Sequence, residues 1–146
     1  MKNYTIGVYF NESLTEVVMI LKNRPQWQAG NFNFPGGHVE QNESSSHCIT
    51  REFNEECGVF VKESRWKHIG NIHGSDYIVY VFTAVKNELD IEAVTMEDEE
   101  VRWIKINELP ENIISNLVWL VPYAKDFLTQ KTSEHLSFSN FYYEEN

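Results

Sequence analysis

Three glutamates stand close together in the segment REFNEECG, at Glu52, Glu55 and Glu56. On an α-helix this i, i+3, i+4 spacing places the three carboxylates on one side, where like charges cost roughly 0.2–0.5 kcal/mol per pair. Because that cost is small, an acidic helix face without a function is one interpretation. The other interpretation is a site for a hard divalent cation such as Mg²⁺, which prefers carboxylate and carbonyl oxygens as ligands.

A double glycine precedes this segment and favours the metal site. Gly36 and Gly37 let the backbone approach a ligand closely and free a carbonyl oxygen to point at it. Arg51 lies beside the glutamates and eight residues after Glu43, so the two charges fall on the same side of a helix. An ion pair between them would hold the glycine-rich loop against the helix, whereas two unrelated surface charges would contribute almost nothing.

The glutamates need a helix to position them, and both ends of that helix are marked in the sequence. Ser44 is a suitable N-cap residue, and Gly58 suits the left-handed conformation just beyond the C-terminus. Between them, Ile49, Phe53 and Cys57 fall on one apolar stripe that should face a sheet. The three glutamates are expected at the edge of this buried stripe.

Strand-like segments surround this helix. They are Lys2–Phe10, Thr15–Leu21, a short strand around Phe32 and Phe34 that stops at Pro35, Val59–Lys62, Lys67–Ile72, Tyr77–Val85 and Val101–Ile106. A second helical region opens at Leu109-Pro110, and Pro122 is expected to kink or split it. Two helices interleaved with a mixed set of strands predict an α/β fold in which both faces of a sheet are covered.

Length, charge and cysteine content limit the function. The 146 residues suit one domain with its own core, and the formal net charge is −10. An acidic chain of this kind is not expected to bind nucleic acid or an anionic membrane, because both attract basic surfaces. No secretory signal or membrane span is visible in the sequence. Cys48 and Cys57, about 13 Å apart on a helix, are predicted to be reduced thiols of a cytoplasmic protein.

Glycine, glutamate and arginine recur at spacings that define a known motif. Gly37, Glu43 and the run from Arg51 to Val59 match the Nudix box at every defining position, with five and seven residues between them. The chain therefore resembles the Nudix hydrolases. The resemblance implies the Nudix fold, an α/β/α sandwich with a mixed central sheet, over residues 1–130. The tail, residues 131–146, is expected to be an edge strand, a dimer arm or partly disordered.

The resemblance also implies the roles of residues in the box. Nudix hydrolases cleave a nucleoside diphosphate linked to another group, with Mg²⁺ or Mn²⁺ bound between enzyme and substrate. Carried over to this sequence, the metal ligands are Glu52, Glu55, Glu56 and the carbonyl of Gly37. Arg51 would orient the glutamates, and Glu43 would hold Arg51. A bound cation would also let an acidic site accept an anionic substrate.

Many members of the family add an acidic residue from a loop outside the box, as a further ligand or as a general base. The candidate loop here is the acidic run from Glu97 to Glu100. Within it we select Glu97 as a further metal ligand and Glu100 as a catalytic residue. The alternative is a solvated acidic turn with no role in the reaction.

Five residues are candidates for substrate binding: Arg24, Trp27, Phe34, His38 and Asn116. By similarity to the oxidised-guanine nucleotide diphosphatases, Phe34 would stack on a base and Asn116 would bind its edge. Trp27 would add a second stacking surface, and Arg24 would reach phosphate. The alternatives are core aromatics for Phe34 and Trp27 and a helix cap for Asn116. His38 stands where many triphosphate-cleaving members carry Lys or Arg, and neutral histidine is a poorer phosphate partner.

The leading hypothesis is Mg²⁺-dependent hydrolysis of a nucleoside triphosphate, standard or oxidised, to a monophosphate and pyrophosphate. The alternative substrate is ADP-ribose or another nucleoside diphosphate derivative, and the short chain favours the first hypothesis. A catalytically silent binding module would be expected to lose carboxylates from the box, and this chain retains them. The resemblance to the family also leads us to expect a homodimer.

Overall fold

The computed structural model describes residues 1–130 and 138–144. Within them the strands are β1 (Lys2–Phe10), β2 (Glu16–Leu21), β3 (Phe32–Asn33), β4 (Gly36–His38), β5 (Lys67–His73), β6 (Tyr77–Val85), β7 (Val101–Lys105) and β8 (Ser139–Tyr142). The helices are α1 (Ser45–Cys57) and α2 (Leu117–Thr129), and a 3₁₀ turn spans Glu63–Arg65.

Strand β1 is the centre of a mixed sheet. It pairs in parallel with β6 along its whole length, and the described strands follow the order β3-β2-β1-β6-β5-β8. The other edge of β1 is shared by two antiparallel partners, because Phe10 pairs with Val17 of β2 while Ile6 pairs with Gly36 of β4. Strand β7 pairs with the free edge of β2. The sheet therefore divides beside β1, and the glycine-rich β4 lies at the division.

Alternating residues of the central strands build a separate core on each face of the sheet. Val8 and Phe10 pack beneath α2, whereas Tyr9 between them packs beneath α1. The apolar run of β2 behaves in the same way, with Met19 on the α2 side and Val18 on the α1 side. The predicted α/β/α sandwich with a mixed central sheet is confirmed.

Two predicted elements differ from the structure. Residues 59–62 form no strand, although Val59 and Val61 are buried against the α1 core. The second helix begins at Leu117 rather than after Leu109-Pro110, because residues 112–114 instead hydrogen-bond to Phe32 at the end of the sheet. Helix α2 is continuous through Pro122, which does not split it.

The chain returns to the sheet after α2. Residues 139–142 form β8, which runs parallel to β5 at the edge of the described sheet. Phe141 of this strand packs against Trp119 and Tyr123 of α2. The rest of the predicted tail segment, residues 131–137 and 145–146, lies outside the described residues. None of the helices formed by the described residues has the length and apolar character required to traverse a bilayer.

Candidate active site

Helix α1 begins and ends where the sequence predicts. The hydroxyl of Ser44 accepts a hydrogen bond from the backbone N–H of His47 at 3.1 Å. Gly58 adopts φ 75° in the left-handed region and donates its N–H to the carbonyl of Asn54 at 2.9 Å. The predicted apolar stripe is fully buried against the sheet, so the position of the glutamates around the helix is fixed.

The three glutamates of α1 differ in their exposure to solvent. Glu56 is 6% exposed, whereas the side chains of Glu52 and Glu55 are 17% and 50% exposed. A carboxylate as buried as Glu56 requires a donor. The backbone N–H of Gly36 supplies it, donating to Oε1 of Glu56 at 2.9 Å. This bond ties the double-glycine turn directly to the helix.

Arg51 connects the loop before α1 to two of the glutamates. Its Nε and one terminal nitrogen donate to the two carboxylate oxygens of Glu43 at 2.7 and 2.9 Å. Its other terminal nitrogen donates to Glu52 at 2.9 Å and to Glu55 at 3.3 Å. The predicted pair between Glu43 and Arg51 is therefore present, and Arg51 lowers the pKa of Glu43 to about 2.

The double glycine is required by close approach of the backbone to its neighbours. A Cβ atom on Gly37 would lie 2.5 Å from the carboxyl carbon of Glu52. A Cβ atom on Gly36 would collide with the carbonyl oxygen of Thr5 in the neighbouring strand. Glycine at both positions therefore lets β4 lie between β1 and the carboxylate of Glu52.

Burial changes the acidity of two of the glutamates. Burial raises the pKa of Glu56 to about 8, although the N–H of Gly36 and the ammonium of Lys22 oppose the shift. Burial also raises the pKa of Glu52, against the opposing charge of Arg51. Ionised carboxylates in these positions lack sufficient compensating positive charge, which is a condition that a bound cation would relieve.

The donor set of this region fits a hard divalent cation. It offers carboxylate oxygens from α1 and the backbone oxygen of Gly37, and Mg²⁺ and Mn²⁺ prefer such oxygens. Among the described residues no three acidic, histidine or cysteine side chains converge on one point. Their present partners explain this, because Glu52 and Glu55 bond to Arg51 while Glu56 bonds to Gly36.

The acidic loop before β7 brings one of its two predicted site residues, Glu97, but not the other, Glu100, near the glutamates of α1. Glu97 lies close enough to Glu52 for its charge to raise the pKa of Glu52. The carboxylate of Glu100 instead forms a two-point ion pair with Arg102, at 2.9 and 3.0 Å. Arg102 lies over the ring of Phe32, a residue of the α2-side core, so the structure does not bring Glu100 to the glutamates of α1.

Glu99, the neighbour of Glu100, is the residue of this loop that sequence reasoning missed. It is 6% exposed, and its carboxylate accepts from Nζ of Lys22 at 2.9 Å and from the backbone N–H of Asn23 at 2.6 Å. Both Glu99 and Lys22 act on the pKa of Glu56, in opposite directions. Four consecutive acidic positions offer no signal for which one is buried, because that depends on contacts distant in sequence.

A cavity of about 520 Å³ lies beside β4, the strand whose backbone bonds to Glu56 of the glutamate helix. Its wall includes four of the predicted substrate-binding residues and the predicted backbone ligand, namely Trp27, Phe34, Gly37, His38 and Asn116. Apolar side chains form much of the remaining wall, as is usual in binding sites for small molecules. Phe34 is both a core residue and part of this wall, whereas Trp27 is 69% exposed and is not folded into the core.

Asn116 and Arg24 complete the predicted set. Asn116 occupies the cap position of α2, yet its side chain makes no capping hydrogen bond. Its buried Oδ1 has no hydrogen-bond partner among the described residues, although Asn116 lines the cavity. Arg24 lies outside the cavity wall, and its guanidinium forms a two-point pair with Asp98 at 2.8 and 2.9 Å.

Comparison with known proteins matches this architecture. A model of the NUDIX domain matches residues 1–127. The structure is similar to a MutT structure from work on Aliivibrio salmonicida and Vibrio cholerae, with 24% identity, coverage of 82% of this chain and 95% of that chain, and a TM-score of 0.66. It is also similar to a MutT NUDIX hydrolase from Burkholderia pseudomallei, with 18% identity, coverage of 83% of this chain and 95% of that chain, and a TM-score of 0.70.

A third similar structure, the MutT protein of Bacillus halodurans, extends the likeness to nearly the whole chain. It shares 22% identity, covers 98% of this chain and 90% of its own length, and has a TM-score of 0.69. At these identities the structural likeness concerns the fold, while the domain model matches the sequence itself. Since that model spans residues 1–127 and so includes the glutamate helix, the chain belongs to the Nudix family and is a Nudix hydrolase.

Proposed function

We propose that this Nudix hydrolase cleaves a nucleoside triphosphate, standard or oxidised, to a nucleoside monophosphate and pyrophosphate, with Mg²⁺ or Mn²⁺ as cofactor. One observation carries the proposal. Strand β4 separates the cavity from the glutamate helix and contacts both, because Gly37 and His38 line the cavity while Gly36 donates to Glu56. A base in the cavity would therefore place its phosphate chain beside the carboxylates.

The cavity supplies groups that suit a nucleobase. Phe34 offers an apolar wall, and the exposed ring of Trp27 offers a stacking surface at the entrance. The unsatisfied Oδ1 of Asn116 is an acceptor that a base N–H could satisfy, which removes the cost of leaving it unpaired. These contacts favour a planar ligand with a donor on its edge.

The acidic residues would hold the cofactor and order the reacting groups. Glu52, Glu55, Glu56 and the Gly37 carbonyl would hold the divalent cation. When bound there, the cation would supply positive charge that neutralises the diphosphate and increases the acidity of water. Arg51 keeps Glu52 and Glu55 in place and is itself held by Glu43. Glu97, whose negative charge contributes to the raised pKa of Glu52, is our choice for the additional acid of the loop.

ADP-ribose or another nucleoside diphosphate derivative is the second candidate substrate. His38, rather than a permanent cation, lines the cavity after the double glycine, which favours a substrate with fewer phosphate charges than a triphosphate. Trp27 at the cavity entrance could stack on the second group of such a substrate.

One assay separates these candidates. The protein is incubated with Mg²⁺ and, separately, with dNTPs, 8-oxo-dGTP, ADP-ribose and NADH, and the products are identified by chromatography. Pyrophosphate and a monophosphate from a triphosphate support the first proposal. Orthophosphate without pyrophosphate contradicts the proposed cleavage point, and activity confined to ADP-ribose or NADH supports the second candidate.

Two further expectations belong to this proposal. A cytoplasmic location is supported by the two cysteines, Cys48 and Cys57, which are free and buried. The homodimer expected from the family stays a prediction, and sedimentation equilibrium at several protein concentrations checks it. A monomer at all concentrations would contradict it.

A further inference from the structure

Glu99 is a buried acid outside the glutamate helix, and it belongs neither to the proposed cofactor ligands nor to the proposed base-binding residues. Its two carboxylate oxygens are both used, one by the ammonium of Lys22 and the other by the backbone N–H of Asn23. Glu99 therefore fixes the point where β2 ends and the loop with Trp27 begins. That loop forms one side of the cavity.

Lys22 is suited to contact a phosphate chain. It lines the cavity, its side chain is 17% exposed, and its charge acts on Glu56, so it lies between the cavity and the glutamate helix. The two nearby arginines are already paired with carboxylates, Arg24 with Asp98 and Arg51 with Glu43. In the described part of the cavity wall, Lys22 supplies the one permanent positive charge.

Stability alone is a weak explanation for this pair. Burying a lysine and a glutamate costs desolvation energy that their mutual attraction often does no more than offset, and apolar residues of similar volume are frequently as stable. An acid that accepts from both the ammonium and the adjacent backbone N–H does fix the direction of the lysine stem. Such orientation matters when a charge must meet a ligand at a defined place.

We infer that Glu99 is a positioning residue, which holds Lys22 on the cavity wall so that its ammonium contacts the phosphate chain of the substrate. The inference rests on the proposed function, because it assumes that the ligand carries a diphosphate. It assigns Glu99 a role through Lys22 and not through direct contact with the substrate.

Binding of inorganic pyrophosphate tests the inference without requiring turnover. Isothermal titration calorimetry with pyrophosphate and excess Mg²⁺ is run on the wild-type protein and on K22M, K22R, E99Q and K22M/E99Q. We expect binding to weaken roughly 10- to 100-fold in K22M, as for loss of a hydrogen bond to a charged group. K22R should retain most of the affinity, because it retains the positive charge.

Comparison of K22M/E99Q with K22M shows whether Glu99 acts through Lys22. If Glu99 acts through Lys22, E99Q weakens binding roughly 10-fold, but K22M/E99Q binds no more weakly than K22M. The double variant also leaves no unpaired charge in the core, so it should fold even if E99Q is unstable. Glu88, an exposed residue of the same connection between β6 and β7, provides the matched control, and E88Q should bind like wild type.

Each other result overturns the inference. Wild-type affinity in E99Q, additive losses in the double variant, or no binding of magnesium pyrophosphate by wild type would do so. If the affinities follow the expected pattern but no nucleoside triphosphate in the substrate panel is cleaved, the proposed function fails and the positioning role stands. With an active substrate, K22M and E99Q should raise KM more than they lower kcat.

Discussion

At the scale of single residues, Glu56 has two opposing requirements. A cation at the site requires its carboxylate to be ionised, whereas burial raises its pKa to about 8 and favours the protonated form. The N–H of Gly36 and the charge of Lys22 favour ionisation but do not outweigh burial. Without a cation, the ionised form of Glu56 should therefore destabilise the fold.

The stability of the metal-free protein should accordingly fall as pH rises from roughly 5 to 8. In that range the unfolded chain has lost the proton of Glu56, whereas the folded chain retains it. Glu56 therefore lowers the free energy of unfolding by up to ~1.4 kcal/mol for each unit by which the pH rises. Urea unfolding in the presence of EDTA at several pH values measures this dependence of the unfolding free energy on pH. In E56Q this contribution to the slope should disappear, and an identical slope in both proteins would contradict the pKa shift.

The same substitution should separate activity from stability. E56Q removes a ligand oxygen and a negative charge from the proposed metal site, so kcat should fall on the order of 100-fold or more. At pH 8 the metal-free variant should nevertheless be at least as stable as wild type, because its side chain needs no ionisation. Turnover near the wild-type value would refute the role of Glu56 as a ligand.

At the scale of elements, the loop before α1 and the helix are joined through Arg51. The side chain of Glu43 is 7% exposed and satisfies two donors of Arg51, so this pair is screened less than a surface ion pair. Its removal would free the guanidinium to pair more closely with Glu52 and Glu55. We therefore expect the pair to affect both the stability of the loop and the availability of Glu52 and Glu55, the proposed ligands.

E43Q tests this connection. We expect a loss of roughly 1–3 kcal/mol in the free energy of unfolding, as for a buried hydrogen bond to a charged group, together with a higher Mg²⁺ concentration for half-maximal activity. Denaturant unfolding and a Mg²⁺ titration of activity measure the two effects. Glu40, exposed and 3.9 Å from Arg51, gives the control E40Q, which should change neither; equal effects in the two variants would contradict the argument.

The turn that carries β4 depends on the missing side chain of Gly37. In G37A the new methyl group would lie 2.5 Å from the carboxyl group of Glu52, so Glu52 must move. We expect kcat to fall at least roughly 10-fold, since a small displacement of a reacting or ligand group has a large effect on rate. The fold should persist, as circular dichroism would show; unchanged kcat would mean that the position of Glu52 is not critical.

The sequence predicted the elements that depend on local signals. Ser44 and Gly58 mark the ends of α1 because capping acts within a few residues, and Arg51 and Glu43 meet because both belong to one short segment. Strand β4 and the late start of α2 depend on pairing with distant strands, which no local pattern shows. For the same reason the buried position of Glu99 was missed, whereas its exposed neighbour Glu100 was selected.

At the scale of the whole molecule, β8 attaches the end of the chain to the sheet through Phe141. The ring of Phe141 lies 4.4 Å from that of Trp119 and 5.3 Å from that of Tyr123, measured between ring centroids. F141A should therefore lower the free energy of unfolding by roughly 2–3 kcal/mol, as for truncation of a partly buried aromatic residue. Chemical denaturation measures this.

The matched control lies on the same strand. Tyr142 points to the opposite side and is 73% exposed, so Y142A should cost less than roughly 1 kcal/mol. Equal losses in F141A and Y142A would show that the strand is held by its backbone pairing with β5 rather than by the ring of Phe141. A loss in neither variant would mean that β8 contributes little to the fold.

The division of the sheet beside β1 has a consequence for substrate selection. Gly36–His38 form part of the cavity wall. Within this strand, Gly36 donates to the carboxylate of Glu56, and Gly37 lies against that of Glu52. Under the proposed function, the distance between the base and the bond to be cleaved would be set by this short strand, which is hydrogen-bonded to β1 on one side and to Glu56 on the other. The enzyme would then select substrates by the length of the linker between the base and the cleaved bond. An insertion within β4 would shift its preference toward substrates with a longer linker.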